Sequence, residues 1–137
     1  ALPAELEEYR ATVPPHRMHD LLAYADLFVG EGATMAAESA VLGTPAVYVN
    51  SLSMGYTDEL DERYDLLFNF QGDRRHTQAL SKSVEILDGG DDWQSRREQL
   101  LDDKTDTTDV IIRAIEGREH REQVQDDVAT AEKNTEN

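Results

Sequence analysis

Apolar positions recur along this chain in two alternating rhythms: short continuous runs and stripes of helical spacing. Leu27, Phe28 and Val29 form a run that ends at Gly30; Gly32 and Thr34 lead into an apolar helix that stops at Gly43; Pro45 opens a second run, Ala46-Val47-Tyr48-Val49. Two buried runs joined by a helix predict parallel strands, because antiparallel strands need no such crossover. Leu66-Leu67-Phe68-Asn69-Phe70 reads as a third strand, closed by Gln71-Gly72-Asp73.

Helical stripes surround this unit. Met18, Leu21, Leu22 and Ala25 follow the i, i+3, i+4, i+7 pattern of one buried face. Met35, Ser39 and Leu42 align on the central helix, with Ala36 and Ala40 beside them as small residues that permit close approach to a sheet. Tyr56, Leu60 and Tyr64 repeat every four residues, which leaves Asp58, Glu59, Asp61 and Glu62 toward water. Leu80, Val84 and Leu87 form a stripe ended by Gly89-Gly90, a left-handed stop. Trp93, Arg97, Leu100 and Leu101 form another; Thr107, Ile111, Ala114 and Ile115 form a third, capped by Thr105-Asp106 and ended by Gly117. Ahead of all these, Ala4 to Arg10 is polar and tolerates a helix, while Tyr9 to Val13 also fits a short edge strand. Pro14-Pro15 then forbids regular structure. No internal repeat is present.

These elements predict an α/β fold, a Rossmann-like parallel sheet with flanking helices over residues 1–117. From Arg118 to Asn137 charged and amide side chains outnumber the few apolar ones, and an acidic, disordered tail is expected there. In open parallel sheets ligands collect at the carboxyl ends of the strands, and a helix N-terminus after a glycine turn suits an anion. That places a candidate site at Gly30 to Thr34, bordered by the loop Ser51, Ser53, Met54, Gly55 and Tyr56 beyond the second strand. Glu38 is the only charged residue between Gly32 and Tyr56, and its spacing of four from Thr34 puts both on one helix face. It is either a solvated carboxylate or an acceptor for ligand hydroxyls.

Composition narrows the chemistry. The chain of 137 residues carries 29 acidic and 13 basic residues, a formal net charge of −16. A basic stripe for nucleic acid is missing, so no nucleic-acid partner is expected. Lys82, Lys104 and Lys133 are the only lysines. Acid-rich, lysine-poor surfaces resemble those of halophilic archaeal proteins, in which high salt screens the repulsion. Without cysteine there is no disulfide, thiolate nucleophile or cysteine metal site. His16 and His19 lack a clear third ligand, so they are read as cap and surface residues and no metal or other cofactor is expected. No nucleophile elbow points to Ser-His-Asp hydrolysis. No apolar run approaches the ~20 residues of a transmembrane helix, and a cytoplasmic location is expected.

The run Ala25-Asp26-Leu27-Phe28-Val29-Gly30, then Thr34 to Glu38, then Leu42-Gly43-Thr44-Pro45, resembles the nucleotide-sugar-binding half of GT-B glycosyltransferases, in particular the non-hydrolysing UDP-N-acetylglucosamine 2-epimerases. The extended pattern is similar to the archaeal and bacterial family catalogued as domain of unknown function 354, itself thought to be GT-B-like. It adds Met18-His19-Asp20-Leu21-Leu22, Gly32-Ala33-Thr34-Met35, Met54-Gly55-Tyr56, and Lys104-Thr105-Asp106 leading into Val110-Ile111-Ile112.

The resemblance covers roughly Pro14 to Glu116 and implies the C-terminal part of a GT-B-type domain. It places Glu31-Gly32-Ala33-Thr34 on the phosphate turn and Glu38 on a ribose-binding glutamate. Gly32 stands where the family has serine, and Ala33 and Thr34 replace glycines, so the phosphate hydroxyl falls to Thr34. By this reading the earlier strands and the acceptor domain lie before Ala1, and the chain binds a nucleotide-sugar, with a UDP-sugar expected, but does not turn it over alone. A non-catalytic α/β interaction or regulatory module is the alternative, and an exposed sheet edge is a route to self-association.

Overall fold

β1 (Phe28–Gly30), β2 (Ala46–Val49) and β3 (Leu67–Phe70) form one parallel sheet in that order, with Val29 beside Val47 and Val47 beside Phe68. The computed structural model describes residues 2–117, so the expected tail at 118–137 lies outside them. Its backbone divides into two units, Ala1–Asp102 and Asp103–Asn137. In the first, α1 (Met18–Tyr24) precedes β1, α2 (Ala33–Leu42) joins β1 to β2, and α3 (Gly55–Glu62) joins β2 to β3; α4 (Arg75–Asp88) and α5 (Trp93–Asp103) follow. In the second, residues 107–117 are helical, and Asp106 caps them by accepting from the Thr108 N–H at 2.8 Å and the Asp109 N–H at 3.4 Å. The side chains expected to form a stripe there, Thr107, Ile111, Ala114 and Ile115, are all exposed. No helix among the described residues is long and apolar enough to cross a membrane.

β2 is buried along its whole length, as the central strand of a parallel sheet covered on both faces must be. Its alternation divides the core. Ala46 and Tyr48 join Leu67, the α2 residues Ala36 and Ala40, and Leu60, Tyr64, Leu66 and Leu100. Val47 and Val49 face the other way, onto Ala79 and Ile86 of α4. Ala36, Ser39 and Ala40 are fully buried, so α2 lies close against the sheet through its small residues.

The α2–β2 turn is tightly specified. Gly43 takes φ +96°, and its N–H and that of Thr44 close back onto the carbonyls of Ala40 and Ser39, both at 3.0 Å. The buried Thr44 hydroxyl donates to the Leu22 carbonyl at 2.7 Å, with the Ala25 carbonyl a second acceptor at 3.2 Å. One side chain therefore fastens the end of α1 to the end of α2. Arg97 of α5 donates from Nε to the Val41 carbonyl at 2.8 Å, satisfying one of α2's terminal carbonyls.

Several faces differ from the sequence reading. The stripe Leu80, Val84 and Leu87 is exposed, at 67%, 51% and 60%, while Ala79, Ser83 and Ile86, one position earlier, meet the sheet. Both stripes have helical spacing, and close approach of α4 to β2 selects the one with smaller residues. On α3, Thr57 and Leu60 are buried and Tyr56 is exposed, and Tyr64, in the turn that follows, is buried. Leu22 is buried while Leu21 is exposed, and Leu100 is buried while Leu101 is exposed. Tyr9 to Val13 forms no strand: Ala4–Tyr9 is a 3-10 helix and the following residues stay outside the sheet. Pro15 opens a second 3-10 turn, Pro15–Arg17, because the first helical position needs no amide donor. Gly89 does stop α4 with positive φ, at +85°, but its ψ of 175° is extended, not left-handed helical.

Asp61, expected in water, is half-buried: its Oδ2 accepts from the Asn69 N–H at 2.7 Å. Burial pushes this carboxyl above its usual value of 3.8, the Asn69 backbone hydrogen bond opposes that, and Asp65 adds to it. With the folded pKa above the unfolded one, this group's contribution to stability is fully present below about pH 3.9 and is lost as pH rises through the folded pKa. Asp61→Asn, which keeps an acceptor for Asn69, is therefore expected to be more stable than the parent at pH 7. Urea midpoints at pH 7 and pH 3 check this; the gain should vanish at the lower pH.

Candidate functional site

The first turn of α2 is built to leave donors free. Gly32 is the N-cap residue in an extended conformation, supplies no side-chain cap, and its carbonyl takes the Ala36 N–H at 3.0 Å. The amides of Ala33, Thr34 and Met35 thus start the helix with no acidic side chain in the first turn. A Cβ at Gly30 would lie 2.8 Å from the end of the Phe28 ring, so any side chain there requires that ring to shift. Asn50, just past β2, donates from Nδ2 to the Glu31 carbonyl at 3.1 Å and accepts the Leu52 N–H on Oδ1 at 3.2 Å. It ties the turn after β1 to the loop after β2.

A groove of about 420 Å³ runs along the outer face of α2. Thr34, Ala37, Glu38 and Val41, at i, i+3, i+4 and i+7, form its floor; His19 of α1 and Tyr56 of α3 stand at its sides. The walls are largely hydrocarbon, so the polar tips of Thr34, Glu38, Tyr56 and His19 are what a ligand finds to hydrogen-bond. His19 Nε2 lies 3.2 Å from Glu38 Oε2.

Three of the residues selected from the sequence, Thr34, Glu38 and Tyr56, therefore share one groove. Gly30 and Glu31 line a different one, of about 360 Å³, with Val29, Val49, His76 and Leu80, beside the edge strand. Gly32 and Ala33 start α2 and line neither of these two grooves, and neither do Ser51, Ser53, Met54 and Gly55, which are exposed loop and first helical residue. Ser53 is held by donating from Oγ to Asp58 Oδ2 at 2.6 Å.

Two participants were not singled out from sequence. His19, read there as a surface residue, belongs to the groove because α1 begins at Met18 and is fastened to α2 through Thr44. Asn50 carried one local signal, a lone amide at the end of an apolar strand. His16 lies elsewhere, in a groove beside Arg17 and Asp20. No set of three His, Cys, Asp or Glu side chains among the described residues is placed to hold a metal ion.

Comparison with known protein families, curated proteins and solved structures finds no match.

Proposed function

We propose that the groove along α2 is the nucleotide-binding part of a nucleotide-sugar site, belonging to a GT-B-like glycosyltransferase or sugar-nucleotide epimerase that takes a UDP-sugar. The observation that carries this reading is the meeting of Thr34, Glu38 and Tyr56 in one groove at the N-terminal half of α2. The uncapped amides of Ala33 to Met35, with the Thr34 hydroxyl, are suited to a diphosphate and stabilise negative charge as it develops there. Glu38, one turn further on, accepts from the ribose hydroxyls. The proposal concerns binding; no groove side chain is assigned as catalytic acid or base.

Glu38→Ala is expected to weaken UDP-sugar binding by about 1–3 kcal/mol, the range for losing hydrogen bonds to a charged group. Calorimetric titration of the full-length protein at molar salt is the appropriate measurement, because the net charge of −16 repels an anionic ligand unless screened. Unchanged affinity in the variant would remove Glu38 from the site.

The exposed Leu80, Val84 and Leu87 on α4, together with half-exposed Val29 on the edge strand, favour a second reading as an interaction module. The same titration separates the two, since a module without the site binds no nucleotide.

A further inference from the structure

We infer that Thr44 is a positioning residue for the groove along α2: its buried hydroxyl sets where α1 stands, and so how far apart the walls of the groove are. The effect on ligand affinity rests on the reading of that groove as a nucleotide site. Thr44 is 3% exposed and does not line the groove, so no ligand there touches it. Its backbone belongs to the end of α2: the N–H donates to the Ser39 carbonyl at 3.0 Å, and the Ser39 hydroxyl donates back to the Thr44 carbonyl at 3.1 Å. The side chain is therefore a short arm fixed to α2. It reaches the C-terminal end of α1, where Oγ1 donates to the Leu22 carbonyl at 2.7 Å with the Ala25 carbonyl a second acceptor at 3.2 Å. Carbonyls at a helix end lack the intrahelical donors that satisfy those further in, so the hydroxyl fills a real need there.

α1 is anchored at one end. Of its seven residues only Leu22 is buried, and residues 2–17 ahead of it are exposed apart from half-buried Val13. The buried side chain and the carbonyl that takes the Thr44 hydroxyl thus belong to the same residue. His19, which α1 contributes to the groove, lies three residues earlier, about 4.5 Å along the axis toward the free end. A helix held at one end turns about that end, so a small rotation at Leu22 becomes a displacement of the groove wall. Thr34 and Glu38 do not follow, because α2 is seated on the sheet through Ala36 and Ala40.

Thr44→Val keeps the size and branching of the side chain and removes only the donor. The carbonyls of Leu22 and Ala25 are then one donor short, and a buried acceptor without a partner is costly. Water supplies the missing donor only if the end of α1 lifts off α2, and His19 moves with it. Thr44→Ser returns the donor without the methyl group. The pair of substitutions therefore separates the hydroxyl from the space it occupies.

The test joins a distance to an affinity in the full-length protein. Spin labels at Asp20→Cys on α1 and Ser81→Cys on α4, both exposed positions in 137 residues that hold no cysteine of their own, report where α1 stands by double electron–electron resonance. Calorimetric titration with UDP reports the groove. Thr44→Val should shift or broaden the label distance and weaken UDP binding roughly three- to tenfold, the range for residues that act on a site without touching its ligand. Thr44→Ser should restore both. Ile86→Val, in the separate core cluster under α4, should lower stability and move neither readout, which distinguishes the role of Thr44 from a general loss of stability. Should Thr44→Val not fold, Ser39→Ala carries the comparison: it frees the Thr44 carbonyl, leaves the Thr44 hydroxyl in place, and must move both readouts in the same direction. An unchanged label distance, or UDP bound by Thr44→Val as tightly as by the parent, overturns the inference. Absence of UDP binding in the parent overturns the nucleotide reading and Thr44's part in it, whatever the label distance does.

Discussion

Replacing Tyr48 by alanine is expected to lower the unfolding free energy by about 3–5 kcal/mol, the range for deleting a buried aromatic ring. Tyr48 is 1% exposed on the central strand, aligned with Gly30 on one side and Asn69 on the other. Its ring shares a cluster with Ala36 and Ala40 of α2 and with Leu60, Tyr64, Leu66 and Leu67. The volume it fills exists because α2 presents alanines there. Those alanines are already fully buried, so the helix has little room to settle into the space the ring would vacate, and the cavity term persists. Against a typical total of 5–15 kcal/mol the loss is a large fraction of the stability. Urea unfolding with unchanged slope, and Tyr48→Phe as a control expected to cost less than about 1.5 kcal/mol, check it. A loss near zero for the alanine variant would show that this face of β2 is not the core.

The central unit was legible because its signals are local. Gly30, Gly32, Gly43 and Pro45 punctuate the chain at the positions where strand becomes helix and helix becomes strand, and the short apolar runs between them admit little besides buried strands. What escaped was the phase of the outer helices. On α4 the stripe of larger residues and the stripe beginning one residue earlier have the same period, so periodicity cannot rank them. Hydropathy favours Leu80, Val84 and Leu87, whereas packing against β2 favours Ala79 and Ser83, and packing decides. Tyr56 and Thr57 on α3 repeat the case.

The site divides along the same line. Thr34 and Glu38 share a groove because four residues make about one helical turn, a relation written in the sequence. His19 joins them through the seating of α1 against α2, which depends on a hydroxyl twenty-two positions from the carbonyl it bonds. Gly30 and Glu31 separate from Thr34 because they line a groove beside the edge strand while α2 carries Thr34 to its outer face. A run that is continuous in sequence is thus split between two grooves.

Ala40→Leu tests whether the seating of α2 is what positions the site. Ala40 is fully buried against the sheet, so three added carbons must push α2 outward or force neighbouring rotamers, at a cost of about 1–3 kcal/mol. Ala40→Ser, nearly the same size, is the control for the position. Because Thr34 and Glu38 ride on the opposite face of the same helix, an outward shift carries them away from His19 and Tyr56, which α1 and α3 hold. The variant is therefore expected to lose nucleotide affinity together with stability. Glu38→Ala, at a half-buried position outside the core, should lose affinity alone. Chemical unfolding and the nucleotide titration on both variants give the comparison. If Ala40→Leu is destabilised yet binds as tightly as the parent, the groove tolerates movement of its floor, and the spacing between α1 and α2 is not what sets the site.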